Sequence, residues 1–416
     1  MRRKDNATNT PAHRPKPAGA AWIRLWVLSV LAAVCVFVPE VSSQITQIDP
    51  ATTQSVTLSG TQRAEIEKFL DQYSSDAFSD DRAIAAGALD ELIDPLVGQG
   101  ISVAFRQAFS DRLIEQINKS LEDHRVLLDD KTINHKPYHA LRLASEIATD
   151  RTLTAIVAQL KSEDLGRRYF AIHSIETVFY RMRTSAPAVT ARSLLNRRQN
   201  GTATGLIPDL GKMLAEEKSG RHASAIISTL AEAADLPDEI VPGASDEAIR
   251  LIGTGAAARV RATAGTDAKP AIEDILSWLT ASQRIVRLIA QPGSVDEPTA
   301  LAAVRLGGQL IVSVYREMEA GRVVSGDERE TQQAARIQSQ MLGAAENLLL
   351  FGEQNAAAAS GRRQNRDLVE AAESVRDSFL KGNDSEFRRA ALELISPNGI
   401  LTADPYGFKD DEFIVE

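Results

Sequence analysis

Apolar residues recur every three or four positions from residue 61 to residue 396, which is the spacing of one face of an α-helix. Ile66, Phe69, Leu70 and Tyr73 show this spacing in the first segment. The pattern predicts helices over residues 61–73, 80–93, 101–121, 138–149, 151–162, 167–182, 205–217, 221–234, 245–262, 270–290, 297–320, 328–352, 365–380 and 385–396.

The breaks between these segments carry residues that end helices. Gly, Pro, Asn and Asp cluster there, as in residues 236–238 and 291–293. No segment alternates convincingly between apolar and polar residues, so no substantial sheet is predicted. The predicted fold class is therefore all-α. So many short helices favour stacked antiparallel hairpins, as a HEAT-like α-solenoid or an irregular multi-helix array, over one compact bundle.

The predicted helices divide into two regions. Residues 61–292 form the first helical region, and residues 293–396 form a second one with longer helices and more Ala and Gln. This change predicts a boundary near residues 292–296. Inside the second region, residues 354–364 are polar and rich in Ala, and they are predicted to form a mobile connection.

Residues 397–416 form an acidic and aromatic C-terminal tail. Tyr406, Phe408 and Phe413 lie there among Asp and Glu residues. One interpretation is a short linear motif that a partner binds. The other is a cap that folds back over the last helix and covers its apolar face. The cap is favoured, because the ends of helical arrays need such covering.

One string of residues occurs three times at the start of a predicted helix. An acidic residue precedes each copy by a few positions. Small residues three apart let a neighbouring helix approach closely, and the acidic residue caps the helix or pairs with the Arg. The copies are Arg82-x-x-Ala85-x-x-Ala88-Leu89, Arg168-x-x-Ala171-x-x-Ser174-Ile175 and Arg388-x-x-Ala391-x-x-Leu394-Ile395.

This string resembles the second helix of HEAT repeats, in which an Asp in the turn and an Arg at the helix start support the stacking of hairpins. Residues 151–182 make the best single unit. The resemblance implies a HEAT-like α-solenoid that offers a binding surface to a protein, although fold alone does not fix function. The alternative is a helical domain without repeats.

Residues 1–43 have the three parts of a secretory signal peptide. A basic leader precedes an uncharged apolar run from Leu25 to Val38, and small or short residues precede the cleavage site at Ser43/Gln44. The run is shorter than the about 20 residues that a membrane-spanning helix needs. Cleavage and export to the periplasm, cell surface or exterior are predicted. Residues 44–60 are predicted to be a flexible linker. The alternative, an uncleaved anchor, would hold the chain to the membrane only at its start.

The charge of the chain argues against nucleic acid as a partner. Formal net charge is -9, and the first 43 residues carry a local balance of +4, which leaves -13 on the rest. An acidic body repels phosphate backbones. The arginine pairs at 197–198 and 362–363 are interpreted as solvated loop charge. The one cysteine, Cys35, lies in the apolar run, so a cleaved chain has no thiol chemistry.

The histidines are the main local indication of metal chemistry. His135 and His139 are spaced i, i+4, which on a continuous helix would put two imidazoles on one face, with aspartates at 129–130 upstream. Pro137 lies between them and favours a polar loop instead. His173 is predicted to be hydrogen-bonded and partly buried. No metal ligand, cofactor-binding residue or catalytic residue is assigned.

No phosphate-binding loop, nucleophile elbow or EF-hand loop occurs in the sequence. The sequence therefore predicts an exported, non-enzymatic helical scaffold that binds a protein partner in the cell envelope or outside the cell. Two alternatives stay open: a helical hydrolase of envelope polymers and a passive structural component of the envelope. A deep cleft with convergent carboxylates or histidines would favour the hydrolase, and a long groove or broad apolar patch would favour the scaffold.

Overall fold

The computed structural model describes residues 47–98, 100–123, 134–184, 197–199, 202–264, 266, 269–321, 328–409 and 411–413. Only the backbone is described for residues 197–199, 202–204 and 328–331. Residues Ile48–Glu416 form one compact unit. The predicted signal peptide, with Cys35, lies outside the described residues.

The fold is all-α, as predicted. The short helix α1 and the 3₁₀ turn Gln159–Lys161 were not expected, but the other helices match the predicted segments closely. The helices are α1 Pro50–Gln54, α2 Gly60–Ala77, α3 Arg82–Val97, α4 Val103–Leu121, α5 Lys136–Ile147, α6 Asp150–Ala158, α7 Leu165–Thr184, α8 Leu206–Glu216, α9 Gly220–Ala234, α10 Ala244–Ala264, α11 Ile272–Leu288, α12 Glu297–Glu319, α13 Glu328–Ser360, α14 Arg366–Leu380 and α15 Asp384–Ile395.

Two strands of three residues each form the sheet content of the described chain. They are β1 (Arg197–Gln199) and β2 (Thr202–Thr204), which pair antiparallel with Arg198 opposite Ala203. This hairpin is consistent with the prediction of no substantial sheet. In the part of the chain that is described, no helix is both long enough and apolar enough to cross a bilayer.

The prediction of a flexible linker over residues 44–60 is wrong from Ile48 onward. Ile48 and Leu58 are buried, and α1 lies between them. Thr53 O accepts a hydrogen bond from Ser102 N at 2.8 Å, which ties this segment to the start of α4. Glu65 of α2 also accepts from Asp49 N and Thr52 Oγ1, both at 2.7 Å, so buried apolar side chains and hydrogen bonds together fix a stretch whose polar composition is typical of a linker.

The prediction of a mobile connection over residues 354–364 is also wrong. Helix α13 continues to Ser360, and Asn355, Ala356 and Ala357 are buried in it. The amide of Asn355 donates to Ile289 O at 2.9 Å and accepts from Ser294 N at 3.0 Å. A polar side chain that completes buried hydrogen bonds explains why a composition typical of a loop forms helix here.

Consecutive helices pair into seven hairpins, from α2–α3 to α14–α15. The second helices α3, α5, α7, α9, α11 and α13 each pack against the next, so they form one continuous layer. First helices pack in a parallel series, α2 to α6 and α8 to α12. The last hairpin is inverted, because α14 packs on α13 while α15 packs on α12.

The predicted boundary near residues 292–296 does not separate two compact units. Helix α12 packs along α10, and α13 packs along α11, on either side of this position. Trp278, the largest fully buried side chain, lies in α11. The core is therefore continuous from the first region into the second.

All three copies of the repeated string begin the second helix of a hairpin, namely α3, α7 and α15. Their first small residues, Ala85, Ala171 and Ala391, are completely buried. The predicted capping role is met by Asp81, whose Oδ1 accepts from Ala83 N at 2.9 Å. Asp164 Oδ1 caps α7 by accepting from Arg167 N at 3.1 Å. In the third copy Asn383 takes this role instead of an acidic residue.

Buried Arg106 joins the ends of three helices. This residue of α4 donates from Nη2 to Leu96 O of α3 at 3.0 Å, and from Nη1 to Glu146 O and Ile147 O of α5. These carbonyls belong to helix C-termini, which have no partner within their own helix. Burial lowers the pKa of Arg106 to about 10, so the guanidinium is still charged at neutral pH.

Arg167 repeats this arrangement one hairpin later. From α7 it donates from Nη1 to Leu121 O at 2.9 Å and from Nη2 to Asp123 O at 3.1 Å, at the end of α4. Asn355 bonds Ile289 O at the end of α11 in the same way. Successive hairpins are thus connected by polar side chains that satisfy the helix ends of a neighbour.

Glycines allow the closest helix approaches inside the array. A Cβ added at Gly253 of α10 would lie 2.9 Å from the backbone carbonyl of Ala302 in α12. Gly343 of α13 is also helical, but nothing lies within 4 Å of an added Cβ there. These two positions make a matched pair for testing the packing.

We expect Gly253→Ala to lower the free energy of unfolding by about 1–3 kcal/mol, because the backbone of α12 must move. The same change at Gly343 should raise it by about 0.5–1 kcal/mol, since Ala favours helix over Gly. Urea unfolding followed by circular dichroism measures both. Equal effects of the two substitutions would contradict the close contact of α10 with α12.

Candidate interaction surface

Helices α5, α7 and α9 bring a group of aromatic side chains to the surface. The aromatic patch is defined by Tyr138, Tyr169, Phe170, His173 and Arg221. Phe170 is 48% exposed, and the other ring residues are partly exposed. Three of the six tyrosines of the chain, Tyr138, Tyr169 and Tyr180, lie on this part of the second-helix layer.

The start of α7 positions the patch. A Cβ at Gly166 would lie 2.9 Å from Tyr138 Oη, so the glycine lets Tyr138 of α5 lie against α7. The Tyr138 and Phe170 rings then meet edge to face, with centroids 4.7 Å apart. This geometry is favourable for aromatic pairs and holds Phe170 in a defined place on the surface.

Tyr169 continues the patch toward α9. Its ring centroid lies 4.6 Å from that of His173 and 5.7 Å from that of His222, both edge to face. The guanidinium of Arg221 lies over the Tyr169 ring at 4.7 Å. Arg221 is exposed and has no carboxylate within ion-pair distance among the described residues. It therefore presents a positive charge beside exposed rings.

An exposed stripe extends the patch along α7. Phe170, His173, Thr177 and Tyr180 follow one another at helical spacing on its outer face. Tyr180 is 44% exposed and lies near the guanidinium groups of Arg181 and Arg183. Aromatic and Arg side chains are the types enriched at protein–protein interfaces and at their energetic hot spots.

His173 is partly buried and hydrogen-bonded, as predicted. Its Nδ1 lies 2.8 Å from Glu176 Oε2 on the same helix. Tyr138, Phe170 and Tyr180 were not predicted from the sequence to lie at a surface. The spacing of Phe170, His173, Thr177 and Tyr180 is the pattern that would have indicated this face.

His135 and His139 are brought together, but they bond backbone carbonyls. His135 Nε2 lies 3.1 Å from Ser79 O, and His139 Nδ1 lies 3.4 Å from Ala77 O. Since a carbonyl only accepts, these nitrogens carry the protons. Helix α5 begins at Lys136 with Pro137 in its first turn. The two histidines therefore tie α5 to the end of α2.

Among the residues that the structure describes, no group of three His, Cys, Asp or Glu side chains is placed to hold a metal ion. Asp129 and Asp130, which could have completed a metal site with His135 and His139, lie outside the described residues, as does His124. Of the arginine pair at 362–363, Arg363 is exposed as predicted, but Arg362 differs from the prediction of solvated charge. Arg362 binds fully buried Glu353 through two bonds of 2.5 and 2.7 Å.

A cavity of about 400 Å³ lies between α11, α12 and α13. An apolar lining is provided by Ile275, Val314, Ile337 and Met341, and Glu317 is the carboxylate at the cavity wall.

No family model, curated protein or solved structure matches this chain. The function must therefore be argued from the geometry alone.

The histidine pair predicts a pH dependence of stability. Burial lowers the pKa of His139, and the positive charges of His135, Arg142 and Arg82 act in the same direction, while the bond to Ala77 O opposes them. The unfolded chain then takes up a proton more readily than the folded one. Stability is therefore lost as the pH falls below the ordinary histidine value of about 6.5.

Wild type should lose unfolding free energy as the pH falls from 7.5 to 5. We expect His139→Gln to lose less, because the side chain whose protonation the folded state disfavours is gone. Urea unfolding at both pH values, for wild type and variant, measures this difference. Identical pH dependence of the two proteins would show that His139 does not carry the effect.

Proposed function

We propose that this chain is an exported, non-enzymatic scaffold, and that its HEAT-like array of stacked hairpins binds a partner protein. The observation that carries the proposal is the aromatic patch on the continuous layer of second helices. Phe170 is exposed and its neighbouring rings are partly exposed, although the chain is only 5% aromatic and Phe is usually buried.

The rigidity of the surface supports this proposal. Tyr138 and Phe170 fix each other's position, and Arg167 and His222 tie α7 to its neighbours through buried hydrogen bonds. A surface whose side chains are already ordered loses less conformational entropy on binding. The patch is thus suited to contact a folded or peptide partner without rearrangement.

The chemistry of the patch defines the kind of partner. Exposed Phe170 fits an apolar side chain, and Arg221 fits a carboxylate or a backbone carbonyl. Export of the chain, expected from residues 1–43, places this partner in the cell envelope or outside the cell. No cofactor is part of the proposal.

Site-specific photo-crosslinking tests the surface in cells that produce the protein. We expect p-benzoylphenylalanine at Phe170 to yield a discrete crosslinked protein. The same group at Leu392 of α15, which is 37% exposed on a different hairpin, should not yield it. The same crosslinked species at both positions, or at Leu392 alone, would contradict the proposed surface.

Once the crosslinked partner protein is purified, substitutions in the aromatic patch measure how much the patch contributes to the binding affinity. Phe170→Ala and Tyr180→Ala should together weaken binding roughly thirtyfold, which is about 2 kcal/mol for a hot spot. Leu392→Ala should leave the affinity unchanged. All three side chains are exposed, so thermal unfolding should change little and a loss of binding can be assigned to the contact.

A further inference from the structure

The C-terminal segment, described over residues 400–409 and 411–413, lies across α10 and α12 as a bound peptide would. Leu401 and Phe413 are buried against Gly308 of α12. A Cβ at Gly308 would lie 2.6 Å from Phe413 Cε1 and 2.7 Å from Leu401 Cδ1. The glycine therefore provides the space that an aromatic side chain fills.

Side chains of the array also bind the backbone of this segment. Gln309 Nε2 donates to Glu412 O at 2.6 Å, and Arg261 Nη2 donates to Asp411 O at 2.7 Å. Hydrogen bonds to the main chain of a bound segment are a general device of peptide recognition, because they hold the backbone while pockets select the side chains.

Charge gives the groove its selectivity. Arg305 Nε lies 3.4 Å from Glu412 Oε1, and Arg261 Nη1 lies 3.7 Å from Glu412 Oε2. The guanidinium of Arg305 also lies over the Phe408 ring at 5.0 Å. The groove thus binds one aromatic residue on each side of an acidic pair, with its own positive charges matched to that pair.

The segment does not fill the groove. A cavity of about 580 Å³ remains between α10, α12 and the segment, with Arg250, Thr254 and Leu301 in its wall. The ion pair of Arg261 with Asp411 is open to solvent, the two side chains being 43% and 65% exposed. Exposed pairs of this kind contribute little to stability, so this part of the segment is held mainly by buried Phe408 and Phe413 and by the bond from Gln309.

The upstream end of the segment is fixed separately. Tyr406 Oη donates to the buried carboxylate of Glu353 at 2.7 Å, and Arg362 completes that site. The part of the segment that carries the acidic and aromatic recognition features, from Phe408 to Phe413, therefore follows a separate attachment point at Tyr406.

We propose that the groove between α10 and α12 is a docking site for an acidic, aromatic segment of a partner protein, with the chain's own residues 408–413 as its resident competitor. The charge complementarity of Arg261 and Arg305 with two adjacent carboxylates identifies this partner chemistry. The proposal adds a second binding site to the proposed scaffold, and it rests on residues that are separate from the aromatic patch. Crosslinking at Phe170 and occupancy of this groove therefore succeed or fail independently.

A fluorescein-labelled peptide of residues 405–416 is the probe, and fluorescence anisotropy is the measurement. A tethered segment competes at an effective concentration on the order of millimolar. We therefore expect the full chain carrying Glu412→Ala and Phe413→Ala to bind the peptide at least tenfold more tightly than wild type. Raising the salt from 0.05 to 0.5 M should weaken this binding, because charges are screened.

The control compares two glycines that lie within helices, Gly308 of α12 and Gly343 of α13. Adding Gly308→Ala to the tail variant should abolish peptide binding, because the new Cβ occupies the position of the Phe413 ring, whereas adding Gly343→Ala should leave binding unchanged. A folded tail variant that does not bind the peptide, or that binds it equally well with Gly308→Ala, would overturn the proposal. If Phe413→Ala unfolds the chain, the charge variant Asp411→Asn with Glu412→Gln replaces it, with the same expected release.

A second copy of the chain is the rival occupant. Sedimentation of wild type over a range of concentrations should show a monomer if the groove serves a different protein. A dimer that Gly308→Ala abolishes would assign the groove to tail exchange between two copies and would overturn the partner proposal.

Discussion

The structure depends on polar side chains that satisfy the carbonyl ends of helices in neighbouring hairpins. A helix leaves its last carbonyls without partners, and burying such groups costs about 1–3 kcal/mol each unless a donor is supplied. Arg106, Arg167 and Asn355 supply these donors between successive hairpins, and His135 and His139 do so between α5 and α2. Hydrophobic burial makes the helices pack, but these bonds fix which ends meet.

This constraint links the fold to the proposed function. Because the second helices form one continuous layer, the aromatic patch on α7 is supported on both sides by α5 and α9. The opposite end of the array shows a different solution, in which the C-terminal segment covers α12. One surface is thus open and ordered, and the other is covered by the C-terminal segment.

Much of the fold follows from the sequence, because the helices are amphipathic and punctuated by turn residues. The prediction failed where composition and burial disagree: Ile48 and Asn355 are buried in segments that look like linkers. The candidate surfaces were largely missed for a different reason. A pattern of apolar spacing identifies the buried face of α7, whereas Phe170 lies on its exposed face. The tail was expected to act as a cap, but its contact with Gly308 joins residues about a hundred positions apart, which no local pattern reports.

Hydrogen exchange on Arg106→Met tests most directly whether helix-end bonds hold the hairpins together. The account predicts a loss of about 3 kcal/mol or more in unfolding free energy, with lost protection concentrated at the ends of α3 and α5, because three carbonyl bonds lose their donor. The matched change is Arg112→Met. Arg112 lies on the same helix as Arg106 and forms an exposed ion pair with Asp71 of α2, so its loss should lower the free energy of unfolding by less than about 1 kcal/mol. Equal small effects of both substitutions, with protection of α3 and α5 unchanged, would contradict the account.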